Sequence, residues 1–394
     1  NDPKVAPQSG PVIFELLVFL LFVGSGKLRC KVVSILRQPM VFMALALYVL
    51  VSLGVVYSAA PLGVSVDMWG SWRKLLLVPL AASVFTDFLW KQRLANLFIG
   101  IMVLSALVSY VSFLCNIRIG KFPVGIVVHN YATQGLFFSI AMFVCLVLVR
   151  FPLSREGIPS WLLKVSAGLL FLNILIVTPG RSGYLALIVL TLVFVFITVR
   201  KKRRGLVMFF ALLAVLGTLL VSPVAKKGIF RGLDEIETYN SSPNLTSMGI
   251  RMVMWKNTLG VLKRFEHPVF GYGTGGFEVA YKQQVADQEG WRGKPASDPH
   301  NQYLGILVEY GVIGSILFLG FIFSFFMQPV KGFFYIVAVG GVIVLSCTSM
   351  FSSHFTTFSE GRFLMIWCGA LLSAAGVPGK DRDKQMRESV GLYP

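Results

Sequence analysis

Charged side chains are scarce in this sequence, where Asp, Glu, Lys and Arg together make up 14% of 394 residues. A soluble domain carries roughly 25% charged residues, so this chain cannot cover itself with polar surface in water. Hydrophobic residues instead make up 55%. Apolar stretches near the ~20 residues that cross a bilayer recur from end to end, which predicts an all-α, polytopic membrane helix bundle of about eleven or twelve transmembrane helices. The predicted spans are 11–26, 39–58, 74–90, 94–114, 126–149, 161–178, 183–199, 205–221, 300–324, 332–350 and 361–376.

Cysteine is also sparse, and its placement excludes a disulfide framework or a cysteine metal cluster. Each of the five cysteines lies in a predicted span or beside one, where it is expected to act as a small core hydrophobe. They are Cys30, Cys115, Cys145, Cys347 and Cys368.

Acidic residues are half as numerous as basic ones, 18 against 36, which leaves a net charge of +18. The basic residues concentrate in short loops, with Lys27, Arg29, Lys31 and Arg37 in one and Arg200 to Arg204 in another. Short basic loops stay on the cytoplasmic side of a membrane. We therefore interpret these basic residues as ones that fix the orientation of the chain among the membrane lipids, and we expect no nucleic-acid partner. Counting from these loops places 178–183, 222–299 and 351–360 on the outer side.

We find no internal repeat, and the chain divides by hydropathy into four parts. Residues 1–221 form an N-terminal set of transmembrane helices, 222–299 a long outer loop, 300–376 the C-terminal transmembrane helices, and 377–394 a cytoplasmic tail. The long loop is too rich in aromatic residues for disorder. Within it, a helix is predicted from about residue 247 to 265, ended by His267-Pro268.

The segment Asp298-Pro299-His300 predicts the start of a helix, because Asp is a preferred N-cap and Pro is favoured at the first helical position. His300 would then lie in the first turn, at the outer membrane boundary. The positive end of a helix favours anions and a neutral imidazole. His300 is therefore a candidate general base beside a bound anion, and the alternative is an interfacial histidine with ordinary hydrogen bonds.

Arg181 occupies a tight outer hairpin, in Thr178-Pro-Gly-Arg-Ser-Gly-Tyr184. An arginine at a helix N-terminus near lipid needs an anionic partner, which is either a protein carboxylate or the phosphate of a ligand. Arg251 lies on the predicted loop helix, where a solvated arginine is the ordinary alternative. Arg118 adds positive charge to the outer side, and Glu360 stands beside the last span.

Three motifs resemble the bacterial O-antigen ligase and O-antigen polymerase superfamily. The segment "HNQYLGILVEYGVIG" (300–314) is similar to its His-Asn, nine residues, Gly-x-x-Gly signature. The segments "TPGRSGY" and "RMVMW" followed by "HPVFGYGTGGF" resemble its two other marks, in the same order. The resemblance covers most of the chain. It implies a membrane glycosyltransferase of the GT-C type, working at the periplasmic face of the bacterial inner membrane on glycans carried by undecaprenyl pyrophosphate.

The residues and the resemblance together predict a mechanism. Arg181 and Arg251 would clamp the pyrophosphate and stabilise its growing charge, and His300 would take the proton from the attacking hydroxyl, inverting the anomeric carbon. Further substrate contacts are predicted at Arg118, Asn301, Tyr303 and Glu360.

No cofactor or metal is expected. Many GT-C enzymes place a metal on acidic residues, but the one Asp-x-Asp, Asp381 to Asp383, lies in the predicted inside tail. Glu235 and Glu237 in the loop are a poor alternative, so the arginines are expected to take the place of the metal.

Four possible functions remain. A ligase would accept lipid A–core, and the outer cations Arg73, Lys74, Arg118, Lys121, Lys226, Lys227 and Arg231 favour this phosphorylated acceptor. A polymerase would accept another lipid-linked repeat, and a protein O-oligosaccharyltransferase of the same superfamily would accept a protein. A transporter for a lipid-linked glycan is the alternative from another class, which the absence of an inverted repeat disfavours.

Overall fold

The computed structural model describes residues 35–374, except 154–156, 239–245 and 265, together with Gly24 and Gly26. The predicted span at 11–26, apart from two glycines, and the predicted tail at 377–394 therefore lie outside the described residues. Within those residues every regular element is helical, which confirms the all-α prediction.

Most of the helices follow one another with short connections, and the longer connections span 115–130, 264–275 and 285–301. The helices are α1 (Pro39–Val56), α2 (Leu62–Trp72), α3 (Leu77–Val84), α4 (Phe88–Leu114), α5 (Tyr131–Arg150), α6 (Ser160–Ile176), α7 (Arg181–Thr198), α8 (Lys201–Val221), α9 (Pro223–Glu237), α10 (Ser247–Lys263), α11 (Gly276–Gln284), α12 (Gln302–Ser324), α13 (Phe333–Thr348) and α14 (Phe358–Leu372). Short 3₁₀ turns cover Arg73–Leu76 and Gly290–Gly293.

Six of these helices are long and apolar enough to cross a membrane, namely α1, α4, α5, α7, α8 and α12. Two further apolar helices, α6 and α13, are shorter, with 17 and 16 residues. The chain is thus a multi-pass membrane helix bundle. Helix α5 is buried along most of its length and forms the centre, whereas α8 lies at the edge, with Leu219 as its one buried residue.

The predicted span at 74–90 is wrong. The 3₁₀ turn covers its first residues, α3 has only 8 residues, and the chain leaves the helix at Phe85 before α4 begins at Phe88. The helical part of the predicted span thus ends at Val84, and the last residues of the span belong to α4. Hydropathy averaged over a window does not mark this break, because Thr86 and Asp87 are two polar residues with apolar residues on both sides.

Two buried lysines mark the opposite ends of the bundle. Lys91 Nζ, near the start of α4, donates to the Ser373 carbonyl at 2.6 Å, just beyond the end of α14. Lys74 Nζ donates to the carbonyls of Thr356 and Thr357 at 2.6 Å each, just before α14 begins. We call the end that carries Thr356 and Thr357 the site end, because the long loop also packs there.

Helix α12 is broken at Gly311, where φ is 62° and ψ is −157°. The segment 268–273 of the long loop fills the break with four backbone hydrogen bonds. Two run from the amides of Tyr272 and Gly273 to the carbonyls of Val308 and Glu309, and two from the amides of Val312 and Ile313 to those of Pro268 and Val269. The segment that contains "HPVFGYGTGGF" and the segment "HNQYLGILVEYGVIG" (300–314) therefore bond directly to each other in the fold.

Candidate functional site

Arg181 is the first residue of α7, at the site end. Its Nη1 and Nη2 donate to one oxygen of Glu235, Oε2, at 3.2 and 3.1 Å. Gly232 of α9 permits this approach, because a Cβ there would lie 2.4 Å from Arg181 Nη1. The anionic partner that the sequence requires for Arg181 is thus a protein carboxylate, while 32% of the arginine side chain stays exposed.

Glu235 also accepts a hydrogen bond from the amide of Met248 at 3.0 Å, in the first turn of α10. The N-cap of that helix is Thr246, whose side chain accepts from Gly249 N. Glu235 is 6% exposed. One buried carboxylate therefore joins three helices, α7, α9 and α10.

Arg251 lies near the start of α10, facing the same cluster. Its Nε is buried and has no hydrogen-bond partner among the described residues. Burial lowers the pKa of Arg251, the charge of Arg181 lowers it further, and Glu235 and Asp298 act in the opposite direction. Two guanidinium groups that repel each other and share nearby carboxylates form a site suited to an anion with several oxygens.

His300 is not part of a helix, contrary to the prediction. Helix α12 begins at Gln302, and Asn301 is its N-cap, accepting from the amides of Tyr303 and Leu304 at 3.0 and 3.1 Å. His300 itself has a φ of 51°, in the left-handed region that non-glycine residues rarely occupy. Such conformations persist where the surrounding structure enforces them, which is common at functional sites. The argument from the helix dipole therefore does not apply to His300.

Asp298, rather than the start of a helix, is the group beside the imidazole of His300. Its Oδ1 accepts from the His300 amide at 2.9 Å and from the Ser353 hydroxyl, and its Oδ2 lies 4.0 Å from His300 Nδ1. A carboxylate beside Nδ1 favours the tautomer with a proton on that nitrogen, which leaves Nε2 able to accept one. The His300 side chain is 44% exposed, so a substrate hydroxyl can reach it.

The connection 349–357 covers the site from the other side. Gln302 N donates to Ser349 O at 2.9 Å, and Phe355 N donates to Gln302 Oε1 at 3.1 Å. Glu360, just beyond it, is 4% exposed. Its two oxygens accept from the hydroxyls of Thr133 and Thr357. Glu360 is thus an interior anion that ties α14 to α5.

The other three residues predicted to contact substrate, Tyr303, Asn301 and Arg118, do not join the arginine cluster in the described part of the chain. Tyr303 donates its hydroxyl to Ser346 O at 2.8 Å, which directs it into the bundle, against α13. The side-chain oxygen of Asn301 is used as the helix cap. Arg118 is exposed in the connection between α4 and α5, and no hydrogen bond of the described residues joins it to the arginine cluster.

Among the described residues, no group of three or more His, Cys, Asp or Glu side chains could hold a metal ion. Glu235, one of the two loop carboxylates considered for that role, is bonded to Arg181 instead. The arginines Arg181 and Arg251 supply positive charge at the site end.

Comparison with known families connects this geometry to chemistry. The sequence profile of a family described as O-antigen ligase matches residues 166–319. This segment belongs to the O-antigen ligase superfamily. No curated protein matches the chain.

The O-antigen ligase segment contains Arg181, Glu235, Arg251, Asp298 and His300, so the resemblance read from the three motifs is confirmed. The match supports glycosyl transfer in the biosynthesis of O-antigen and related lipopolysaccharide glycans. Sequence reasoning missed Asp298 as the partner of His300. The signal was present, because an Asp side chain commonly bonds the amide two residues on, which is the amide of His300.

Proposed function

We propose that the protein is a metal-independent O-antigen ligase, an inverting glycosyltransferase. It would transfer O-antigen glycan from undecaprenyl pyrophosphate to lipid A–core oligosaccharide, at the periplasmic face of the bacterial inner membrane. The observation that carries this proposal is the meeting of Arg181, Arg251 and the Asp298–His300 pair at one end of the bundle, within the O-antigen ligase segment.

The donor would bind through its pyrophosphate. Arg181 exchanges its carboxylate partner Glu235 for phosphate oxygens, since both are anionic acceptors of the guanidinium fork. Arg251 brings a second guanidinium with an unpartnered Nε. As the glycosidic bond breaks, negative charge grows on the leaving pyrophosphate, so two fixed cations stabilise the transition state more than the bound donor.

His300 would act as the general base. With a proton favoured on Nδ1 by Asp298, Nε2 accepts the proton of the acceptor hydroxyl as its oxygen attacks the anomeric carbon. The attack comes from the side opposite to the leaving group, so the configuration inverts. The electron pair of the broken bond leaves with undecaprenyl pyrophosphate, and no nucleotide takes part.

The acceptor is assigned from the charges that remain exposed. Lys74 was one of the cations that favoured a phosphorylated acceptor. It is buried and donates to two carbonyls, so it does not contribute to a surface that would attract that acceptor. Exposed cations remain in the connection between α4 and α5 and along α9, namely Arg118, Lys121, Lys226, Lys227 and Arg231. They favour a multiply phosphorylated lipid over a neutral glycan as the acceptor.

Incubation of the purified protein with undecaprenyl-pyrophosphate glycan and lipid A–core in detergent tests the proposal. A ligase forms lipid A–core that carries the glycan, detected as a mobility shift on a gel. Elongation of the lipid-linked glycan in the absence of lipid A–core would show a polymerase instead. A transporter needs a sealed bilayer and would form no glycosidic bond in detergent.

Chelation tests the metal independence of the same reaction. Transfer is expected to proceed at an unchanged rate in EDTA, because two guanidinium groups supply the positive charge at the pyrophosphate. Loss of activity in EDTA that Mg²⁺ or Mn²⁺ restores would contradict the arginine clamp.

A further inference from the structure

His354 is a buried histidine that the proposed reaction does not use. It lies in the connection 349–357, is 4% exposed, and both ring nitrogens lack a hydrogen-bond partner among the described residues. The Nε of Arg251, in the same cluster, is likewise buried and unpartnered. Unpaired buried polar atoms are costly, so three of them in one cluster call for a physical explanation.

The groups around His354 determine its protonation state. Burial lowers the pKa of His354, the negative charge of Glu360 opposes that effect, the positive charge of Arg251 adds to it, and Asp298 opposes it again. The net direction is downward, which keeps the imidazole neutral near pH 7. A neutral imidazole offers one donor and one acceptor nitrogen.

One arrangement of these neighbours satisfies all three atoms. Arg251 Nε can only donate, and the carboxylate of Glu360 can only accept. In this arrangement the acceptor nitrogen of His354 receives the N–H of Arg251 Nε, and the N–H of His354 is donated to Glu360. The Glu360 oxygens already accept from Thr133 and Thr357, but a carboxylate has about four acceptor sites and can take a further bond.

The backbone holds His354 close to Glu360. The single hydroxyl proton of Thr357 is shared between two acceptors, the His354 carbonyl, 2.9 Å from Oγ1, and Glu360 Oε2, 2.8 Å from Oγ1. Ser353, the preceding residue, donates its hydroxyl to Asp298. Catalytic hydrogen bonds are often long before substrate binds and tighten in the complex.

We propose that His354 is a positioning residue for Arg251, bridging its Nε–H to the carboxylate of Glu360 in the donor-bound state. This inference rests on the proposed function, because it assigns Arg251 to the donor pyrophosphate. The bridge fixes the plane of the guanidinium, so that the two terminal nitrogens of Arg251 face the phosphate oxygens.

Two substitutions distinguish this role from simple packing. In His354→Gln the amide can donate to Glu360 and accept from Arg251, whereas His354→Phe keeps the ring volume and removes both bonds. Binding of undecaprenyl pyrophosphate without glycan is measured for each purified protein, together with thermal unfolding and with KM and kcat for transfer. We expect Gln to stay within about twofold of the wild-type affinity and Phe to lose about tenfold, seen as a raised donor KM. A packing role predicts the reverse order, with Phe tolerated and Gln destabilised.

A double-mutant cycle tests whether the effect passes through Arg251. Arg251→Lys removes Nε, so His354→Phe in that background should weaken binding little further, and equal losses in both backgrounds would overturn the inference. If His354→Phe does not fold, His354→Leu takes its place in the cycle. Wild-type protein that does not bind undecaprenyl pyrophosphate would overturn the proposed function itself. Wild-type binding that the Phe variant shares equally would overturn the role of His354 alone.

Discussion

Two histidines share an unusual backbone conformation but differ in the groups beside their rings. His300 and His129 have φ values of 51° and 52°, and each precedes an asparagine that caps the following helix. His300 also has the carboxylate of Asp298 beside its ring. His129 is exposed, and no such carboxylate pairs with it among the described residues. His129 is therefore a matched control for His300.

We expect His300→Ala to slow glycan transfer by about 10²–10⁴-fold, the usual contribution of a general base. Binding of undecaprenyl pyrophosphate should persist, because the base acts on the acceptor. His129→Ala should keep wild-type rates. The measurements are initial transfer rates and donor affinity of the purified variants. Normal transfer by His300→Ala would assign that histidine a structural role and require another base.

Arg181→Lys tests the geometry of the clamp at constant charge. Lysine presents a single point charge in place of a planar fork, so it cannot bond two phosphate oxygens side by side. We expect kcat/KM for the donor to fall about tenfold or more, the loss of one hydrogen bond to a charged group. Arg150→Lys, at the opposite end of the bundle, serves as a control of equal charge. Similar activity of the two variants would show that charge alone suffices at position 181.

The sequence predicts the contacts of a residue well only when its partner lies close to it along the chain. An arginine at a helix start near lipid requires an anion, so the need of Arg181 for a partner follows from local chemistry. The identity of that partner, Glu235, does not, because 54 residues separate the two. His354 gives no local signal either, since its meeting with Arg251 depends on how the connection 349–357 packs against α10.

The break of α12 at Gly311 restricts which residue can occupy that position. A Cβ at this position would lie 2.4 Å from the carbonyl oxygen of Val269, and the φ of 62° disfavours any side chain. We expect Gly311→Ala to lower stability by about 1–3 kcal/mol for the backbone conformation alone, with the clash in addition. Thermal unfolding in detergent measures the loss. Gly305→Ala on the same helix, whose nearest neighbour would be Pro299 Cγ at 3.5 Å, should unfold near the wild-type temperature.

Equal unfolding temperatures for Gly311→Ala and Gly305→Ala would contradict the insertion of segment 268–273 into α12. The insertion also explains why helix patterns alone give an incomplete description of α12. Apolar periodicity continues through Gly311, and the four bridging hydrogen bonds come from residues about 40 positions away, which no local pattern reports.

Helix boundaries illustrate the same limit. Asp298 and Asn301 are both good N-caps, and the sequence cannot rank two such residues three positions apart. The fold assigns the cap to Asn301 and uses Asp298 for the turn at His300. The long hydrophobic spans, by contrast, were predictable because bilayer thickness imposes their length and composition.

The orientation of the whole molecule in the membrane is predicted from its basic loops. A reporter fused after Arg204 should lie in the cytoplasm, and one inserted at the exposed Asp287 should lie in the periplasm. An enzymatic reporter that is active on one side only, paired with one active on the other, measures both positions. Location of both reporters on one side would contradict the predicted orientation and the periplasmic active site.

The pairing of Arg181 with Glu235 has a consequence for the turnover of the proposed enzyme. The undecaprenyl pyrophosphate left after transfer carries an ionisable oxygen that the glycan had blocked, so it is more negative than the donor. Arginines without a resident partner would hold this product more tightly than the substrate. In the proposed reaction, the buried carboxylate of Glu235 would take Arg181 back in competition with the departing phosphate, and this competition would protect the enzyme from inhibition by its own product.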